Sequence, residues 1–317
     1  MKRESAAAQG LALGLSAALL WWLAANTTTT LGQHGIALGF GFLRQPANFE
    51  IGDAPIAYVP SDSFARAIVV GLVNTARVSV LGWILGVALG FALGVMRLAH
   101  NPSVRGVARG VVELVRNVPL LLLLFALAAA MHALPPARDA LHPLPGVFIS
   151  DRGLVIPSIV LSKWRLDVPR LDGFNFVGGI TISPELTALL AALVLHHGAH
   201  ISEVVRGAVL AVPRGQRDAA AALGLTRAQV LRFVVVPQAL RAMVPLIATN
   251  CVSLTKNSSL AVAIGFPDVV SILNTTANQT GHAIETMVIM IAVYLTLSLA
   301  VAASMNAYNR RLLRVGA

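Results

Sequence analysis

The run LVLHHGAHISEVVRG places three histidines, His196, His197 and His200, inside an otherwise apolar stretch. On a helix His196 and His200 stand one turn apart on one face, a spacing at which two imidazoles can share a transition-metal ion. No third ligand stands out in the sequence and no metal site is expected. Hydrogen-bonded helix packing or the lining of a polar path remains for them. A second set lies in NTARVS, where Arg77 follows Asn74 by one turn. An ionisable side chain near the centre of a bilayer costs on the order of 3 kcal/mol. Arg77 therefore either faces a water-filled path and attracts a substrate carboxylate, or pairs with a carboxylate on a neighbouring helix or snorkels to the surface. Packing is the commoner fate of such residues. A third set, Lys256, Asn257, Ser258 and Ser259, supplies donors where the chain is expected to leave regular helix, which is tolerated at membrane depth only where it lines a cavity. Asn74, Arg77, His196, His200, Lys256, Asn257 and Ser258 together make a candidate translocation path. Glu203 and Arg206, three residues apart, read as a structural ion pair.

The elements that must position these residues follow from composition. Of 317 residues 56% are hydrophobic and 12% charged, where a soluble domain carries roughly a quarter charged. The apolar runs are continuous rather than alternating, so the chain reads as an all-α integral membrane protein and not a barrel. Six spans are expected, at Leu11 to Asn26, Gly71 to Met96, Leu114 to Met131, Pro184 to Val205, Ala239 to Thr255 and Ala283 to Ala307. The first follows Lys2 and Arg3 and carries Trp21 and Trp22 toward its far end. Leu23-Ala24-Ala25 is a poor cleavage site, so an uncleaved anchor over 11–26 is expected. The second span is rich in glycine, a composition that lets helices approach closely in lipid. The lone Cys251 rules out an internal disulfide.

The net charge of +10 reflects arginines concentrated in alternate loops, and no nucleic-acid partner is expected. Lys2, Arg3, Arg97, Arg105, Arg109 and Arg116 fall on one side with Arg206 to Arg241 and Arg310 to Arg314. The positive-inside rule makes that side, with both termini, cytoplasmic. Ala133 to Ser183 becomes a periplasmic loop, nearly balanced with Arg138, Arg152, Lys163, Arg165 and Arg170 against Asp139, Asp151, Asp167 and Asp172. The chain thus reads as one transmembrane domain over 1–317, with a loop at 133–183 outside and a charged, alanine-rich segment at 213–237 inside.

That inner segment contains GQRDAAAALGLTRAQVLRFVVVP. Asp218 suits the positive end of a helix, the alanines from Ala219 to Ala222 have high helix propensity, and Gly224 can end the helix in the left-handed conformation. Thr226 with Gln229 fits a capping box opening a second helix, which Pro237 is expected to limit. A small-residue face with Leu223 as apolar anchor and Arg217 and Asp218 for orientation can enter a partner's groove. A plain connecting hairpin fits the same residues equally well.

The pattern D-A-A-x-x-x-G at Asp218, Ala219, Ala220 and Gly224, followed by Val234, Val236 and Pro237, resembles the EAA loop of bacterial ABC importer permeases. The family's usual glutamate is Asp218 here, the same charge on a shorter arm. EVVRG at Glu203 to Gly207, PQALR at Pro237 to Arg241, LTKNSSL at Leu254 to Leu260, DRGLVIP at Asp151 to Pro157, GGITISPE at Gly178 to Glu185 and NQTG at Asn278 to Gly281 are similar to the polar amino-acid branch, and within it to larger-loop permeases of general L-amino-acid transporters. The resemblance covers the chain from about Gly71 onward. It implies a MetI-like permease core behind an N-terminal anchor helix, in the bacterial inner membrane. It implies a coupling helix of Gly215, Arg217, Asp218, Ala219, Ala220, Leu223 and Gly224 docking on an ATPase subunit. It further implies a second, similar permease subunit, a periplasmic amino-acid-binding protein, membrane lipid around the spans, and no cofactor on this subunit, with ATP and Mg on the ATPase. No phosphate-cradling G-x-x-x-x-G-K-[ST] occurs in the chain. The alternative is a self-sufficient ion-coupled transporter or channel, which calls for intramembrane acids. Only Glu203 and Glu285 fall within the expected spans, both near ends.

Overall fold

The computed structural model describes residues 2–33, 39–160, 165–173 and 175–314; Lys163, counted above among the loop cations, lies outside them. Helix α1 covers Lys2–Gln33, α2 Phe64–Met96, α3 Pro102–Asn117, α4 Leu120–His132, α5 Pro184–Leu210, α6 Arg214–Ala222, α7 Arg227–Val230, α8 Val236–Asn257, α9 Val269–Thr280 and α10 Ala283–Arg314. Helices α2 and α5 form the centre. Each opens on a serine cap: the Ser63 hydroxyl accepts from the Arg66 amide at 3.3 Å, and that of Ser183 from the Leu186 amide at 3.3 Å.

Along their length α2 and α5 meet at a glycine seam. Gly82, Gly86, Gly90 and Gly94 recur at one-turn intervals and are buried. A Cβ at Gly90 would lie 2.5 Å from Ile201 Cγ2 and 3.0 Å from the Gly198 carbonyl, and one at Gly94 would lie 2.7 Å from Val205 Cβ. Lipid tails are as apolar as leucine, so helices in a bilayer associate through close packing, which small residues permit. Around this pair, Leu124 of α4 packs with Leu186, Leu189 and Leu193 of α5 and Leu254 of α8. Met243, Ile247 and Cys251 of α8 cover Ile201 and Val205. The indole of Trp83 donates to the Cys251 carbonyl at 2.9 Å, which relieves a polar group inside this core.

Six spans are expected from the sequence; among the described residues four helices are long and apolar enough to cross a membrane, five if the bent pair α3 and α4 counts as one span. In α1, a helix of 32 residues, the apolar stretch is Gly10–Leu23. Two expectations are corrected. The third expected span, Leu114 to Met131, is not one helix: the chain turns by 104° between α3 and α4. Proline disfavours helical backbone in the residue before it, and Val118, which precedes Pro119, is extended at ψ 126°. Finally, Pro237 does not stop the second helix of the inner segment. A π-helical turn over Leu231–Val235 precedes it, and α8 continues through it. The wider turn spares the helix the clash and lost hydrogen bond that proline otherwise imposes.

The loop expected between Ala133 and Ser183 is folded as short strands: β1 Leu141–Leu144, β2 Val147–Ser150, β3 Gly153–Ile156, β4 Ser158–Val160, β5 Arg165–Asp167, β6 Arg170–Asp172, β7 Asn175–Val177 and β8 Ile180–Ile182. The order β1-β2-β3-β8 makes one antiparallel sheet, and β4 with β5 and β6 with β7 make two ribbons. Gly153, at φ +106°, sits where a Cβ would fall 2.0 Å from the Ile182 carbonyl, so no other residue fits the β3–β8 crossing. Strand β8 runs directly into the Ser183 cap of α5.

The seam makes a test. Gly90→Ala forces a methyl onto Ile201, an overpacking expected to cost about 1–3 kcal/mol and to lower the melting temperature in detergent by several degrees. Gly106→Ala, on α3 with nothing within 4 Å of the new methyl, is expected to leave the melting temperature unchanged or raise it. Equal melting temperatures for wild type and Gly90→Ala would show that the seam is not tight.

Candidate functional site

Helix α6 is held between the two long helices it joins. The guanidinium of Arg217 donates to the Val209 carbonyl at the end of α5, and Gln238 of α8 reaches the Gln216 side chain. Gly224, at φ +82°, ends the helix: its amide donates to the Ala221 carbonyl at 2.9 Å and the Leu225 amide to that of Ala220 at 3.2 Å, the paired bonds of a Schellman stop. The capping box then opens α7, with the Thr226 amide donating to Gln229 Oε1 at 2.8 Å and the Gln229 amide to Thr226 Oγ1 at 3.4 Å. Gly215, Asp218, Ala219 and Gly224 are exposed, Arg217 is half-buried, and Leu223 is 83% exposed. Ala220 is buried within the hairpin, so it shapes the turn and is not on its free surface.

The seven candidate path residues fall in separate places. Asn74 is fully buried, its amide donating to the Asp53 carbonyl at 2.7 Å and the Pro267 carbonyl at 3.0 Å. Arg77 pairs with Asp53 at 2.9 Å, and the Ser183 hydroxyl donates to the other oxygen of that carboxylate at 3.1 Å. These residues fasten the strand-bearing ends of α2 and α5 together. Deeper in α5 the rings of His196 and His200 lie 4.8 Å apart. Asn257 reaches His197 instead, its amide donating to the ring Nε2 at 3.2 Å. Among the described residues no group of three or more histidine, cysteine or acidic side chains could hold a metal. Ser258 donates to the Thr255 carbonyl at 2.7 Å and closes the end of α8. Lys256 is exposed on a groove of about 670 Å³ between α8, α9 and α10, beside Ser259 and Tyr294.

The Glu203–Arg206 pair expected from the sequence is present; what the sequence did not reveal is that it belongs to a larger cluster. The Glu203 carboxylate pairs with Arg206, with Arg97 at 2.5 Å and with Arg116 at 3.7 Å. The three cations come from the ends of α2 and α3 and from α5 itself. Beside the cluster a cavity of about 510 Å³ is lined by Arg116, His200, Glu203, Gly207, Ala242 and Asn250. A second missed carboxylate is Asp268. It is buried, caps α9 by accepting from the Ser271 amide at 2.8 Å, and faces the Tyr294 hydroxyl at 3.4 Å. Burial pushes its carboxyl up to about 7, against the hydrogen bonds, which favour the charged form.

The family model for the binding-protein-dependent transport system inner membrane component matches residues 86–314. The chain belongs to that family. This permease is 37% identical to YhdX of Escherichia coli over 96% of this chain and 93% of that one. It is 34% identical to the general L-amino acid transport system permease protein AapQ of Rhizobium johnstonii, over 96% of this chain and 91% of the other. Among solved structures, an amino acid ABC transporter crystallised with histidines shares the fold at a TM-score of 0.59 and 23% identity, covering 78% of this permease and 95% of that chain. The matched region contains the glycine seam from Gly86 onward, the Glu203 cluster and the α6 hairpin.

Two outcomes follow for the permease. Glu203→Gln leaves three arginines facing one another. It is expected to lower the melting temperature clearly more than Glu113→Gln, whose exposed pair with Arg109 is worth about 0.3–0.5 kcal/mol. Equal shifts would deny the cluster its structural role. Asp268 sets the second. The folded state holds its proton more tightly than the unfolded chain, so its contribution to stability is complete below 3.8 and is lost as pH rises through about 7. Asp268→Asn keeps an N-cap and is expected to flatten the dependence of melting temperature on pH across that window. An unchanged slope would place the titration elsewhere.

Proposed function

We propose that this chain is the membrane-spanning permease subunit of an ATP-driven importer of L-amino acids, with α6 as the element that docks on a separate ATPase. The observation that carries this reading is the α6 hairpin itself. A short helix is fixed by Arg217 and Gln216 to the ends of α5 and α8 and offers Ala219 and the 83% exposed Leu223 outward with no partner among the described residues. Asp218 beside them supplies an oriented charge. Kinship with a general L-amino acid permease supports the substrate class, polar or broad in range.

On this reading the subunit is not catalytic and binds no cofactor; ATP and Mg belong to the ATPase. It pairs with a second, homologous permease and receives amino acids from a periplasmic binding protein that meets the strand-bearing end. The arginine-rich end and both termini face the cytoplasm, and the protein resides in the bacterial inner membrane. His200, Asn250 and Arg116, around the cavity beside Glu203, are better placed to line a path than Asn74 and Arg77, which are used in packing.

Co-purification with the cognate ATPase, run beside amino-acid uptake at matched membrane insertion, tests this. Leu223→Glu and Ala219→Glu are expected to lose the ATPase and uptake together, since an interface hot spot is worth about 2 kcal/mol or more, roughly thirtyfold in affinity. Gly224→Pro, which cannot take a positive φ, is expected to do the same. Val177→Glu, on an exposed strand at the other end, retains the ATPase. Retention and uptake indifferent to all of these changes would make the hairpin a mere connector and bring a self-sufficient transporter forward.

A further inference from the structure

Helix α3 divides its surface three ways. Ala108, Val112 and Val115 are buried against α2 and α5. Val107, Val111 and Leu114 form a second stripe at one-turn spacing that nothing among the described residues covers; Val107 is 65% exposed and Leu114 69%. Arg105, Arg109 and Arg116 form a third, roughly opposite the exposed apolar stripe at 100° per residue. Arg105 has no ion-pair partner among the described residues, Arg109 pairs only with Glu113, and Arg116 approaches Glu203 at 3.7 Å.

The direction of α3 decides what covers the apolar stripe. Helix α4 is apolar throughout and packs along α5 through Leu120, Leu123, Leu124 and Leu127, so it follows the membrane normal with its neighbour. The chain turns by 104° from α3 to α4. A helix at that angle to a membrane-crossing one runs along the bilayer surface, and with three arginines and a glutamate on its length it has no means to cross. Its surroundings are cationic: residues 97–117 and 203–241 carry ten arginines against Glu113, Glu203 and Asp218.

We propose that α3 lies in the membrane–water interface as an anchoring helix that selects anionic phospholipid, with Val107, Val111 and Leu114 in the acyl region and its arginines drawn to the headgroups. An apolar stripe opposite a basic one is the pattern of interfacial helices. Arginines near an anionic surface add an attraction that falls off within a Debye length. Through Arg116 and the Glu203 cluster this contact reaches the end of α5 that leads into α6.

The test uses the full chain in nanodiscs of phosphatidylcholine alone or mixed equally with phosphatidylglycerol. In a Cys251→Ala background, a spin label at Leu114→Cys is expected to be relaxed more by oxygen than by a water-soluble nickel chelate, and one at Arg109→Cys the reverse. Anionic lipid is expected to raise the melting temperature of wild type, and Arg105→Gln with Arg109→Gln to remove about half or more of that rise. A Leu114 label open to the nickel chelate overturns the proposal, as does a lipid response equal in wild type and variant. A Leu114 label shielded from oxygen by added ATPase assigns the stripe to a protein partner and overturns it as well.

Discussion

Everything in this bundle hangs on how closely α2 and α5 approach. With no water to expel between helices in lipid, attraction comes from contact alone. Contact over this length depends on Gly90 and Gly94 leaving space that Ile201 and Val205 of α5 fill, while a Cβ at Gly86 would lie 4.0 Å from the Val194 backbone and Gly82 admits Leu254 of α8. Each end of the seam is then closed by a carboxylate. At the strand-bearing end Asp53 takes Arg77 of α2 and Ser183 of α5. At the other end Glu203 of α5 takes Arg97, at the close of α2. Packing sets the separation and the two polar closures set the register.

The fixed pair has a consequence for what lies beyond it. Helix α5 runs unbroken from the Ser183 cap to Leu210, and only Ala211 to Pro213 separate it from α6. On the far side of α6 the chain turns through Leu223 to Thr226, and from α7 it enters α8 through continuous helix with a π-turn. The cavity beside Glu203 is walled by α5 and α8. A displacement of α6 is therefore passed to both walls of that cavity through rigid elements, with Arg217 and Gln216 as further ties. The physical route between the hairpin and the membrane interior is short and contiguous.

Much of this was legible in the residues, and the failures have identifiable causes. The hairpin was readable because its signals are local: alanines, a glycine at the stop, and Thr226 with Gln229 for the next start. The close approach of the second span was readable because glycine has few other reasons to recur at one-turn spacing in lipid. The turn at Val118 was missed because composition alone does not separate an amphipathic helix followed by an apolar one from a single span. The strands between Ala133 and Ser183 are three or four residues long and pair across the loop, so the period that would announce them never develops. The Glu203–Arg206 pair was readable from its spacing, but Arg77's partner and the distant partners of Glu203 were not. Asp53 is 24 residues from Arg77 and Arg97 more than 100 from Glu203, and no spacing rule reaches that far.

The two ends of the molecule also satisfy their buried and half-buried acids by different means. Where arginines are plentiful, Glu203 is surrounded by guanidinium groups. At the strand-bearing end Asp268 accepts the Ser271 amide, and Glu285 accepts the Gly39 amide at 2.8 Å while pairing with His282. A carboxylate that must be buried needs donors, and backbone amides at a helix start supply them without adding a cation. If arginines are kept to one side of the membrane because they orient insertion, acids on the opposite side must be held by caps and loop amides. Arg66, Arg77 and the loop arginines Arg138, Arg152 and Arg170 depart from that division, and for Arg77 the loop carboxylate of Asp53 stands against it. The placement of charges for insertion and the satisfaction of buried polar groups are thus one constraint seen at the two ends of the same helices.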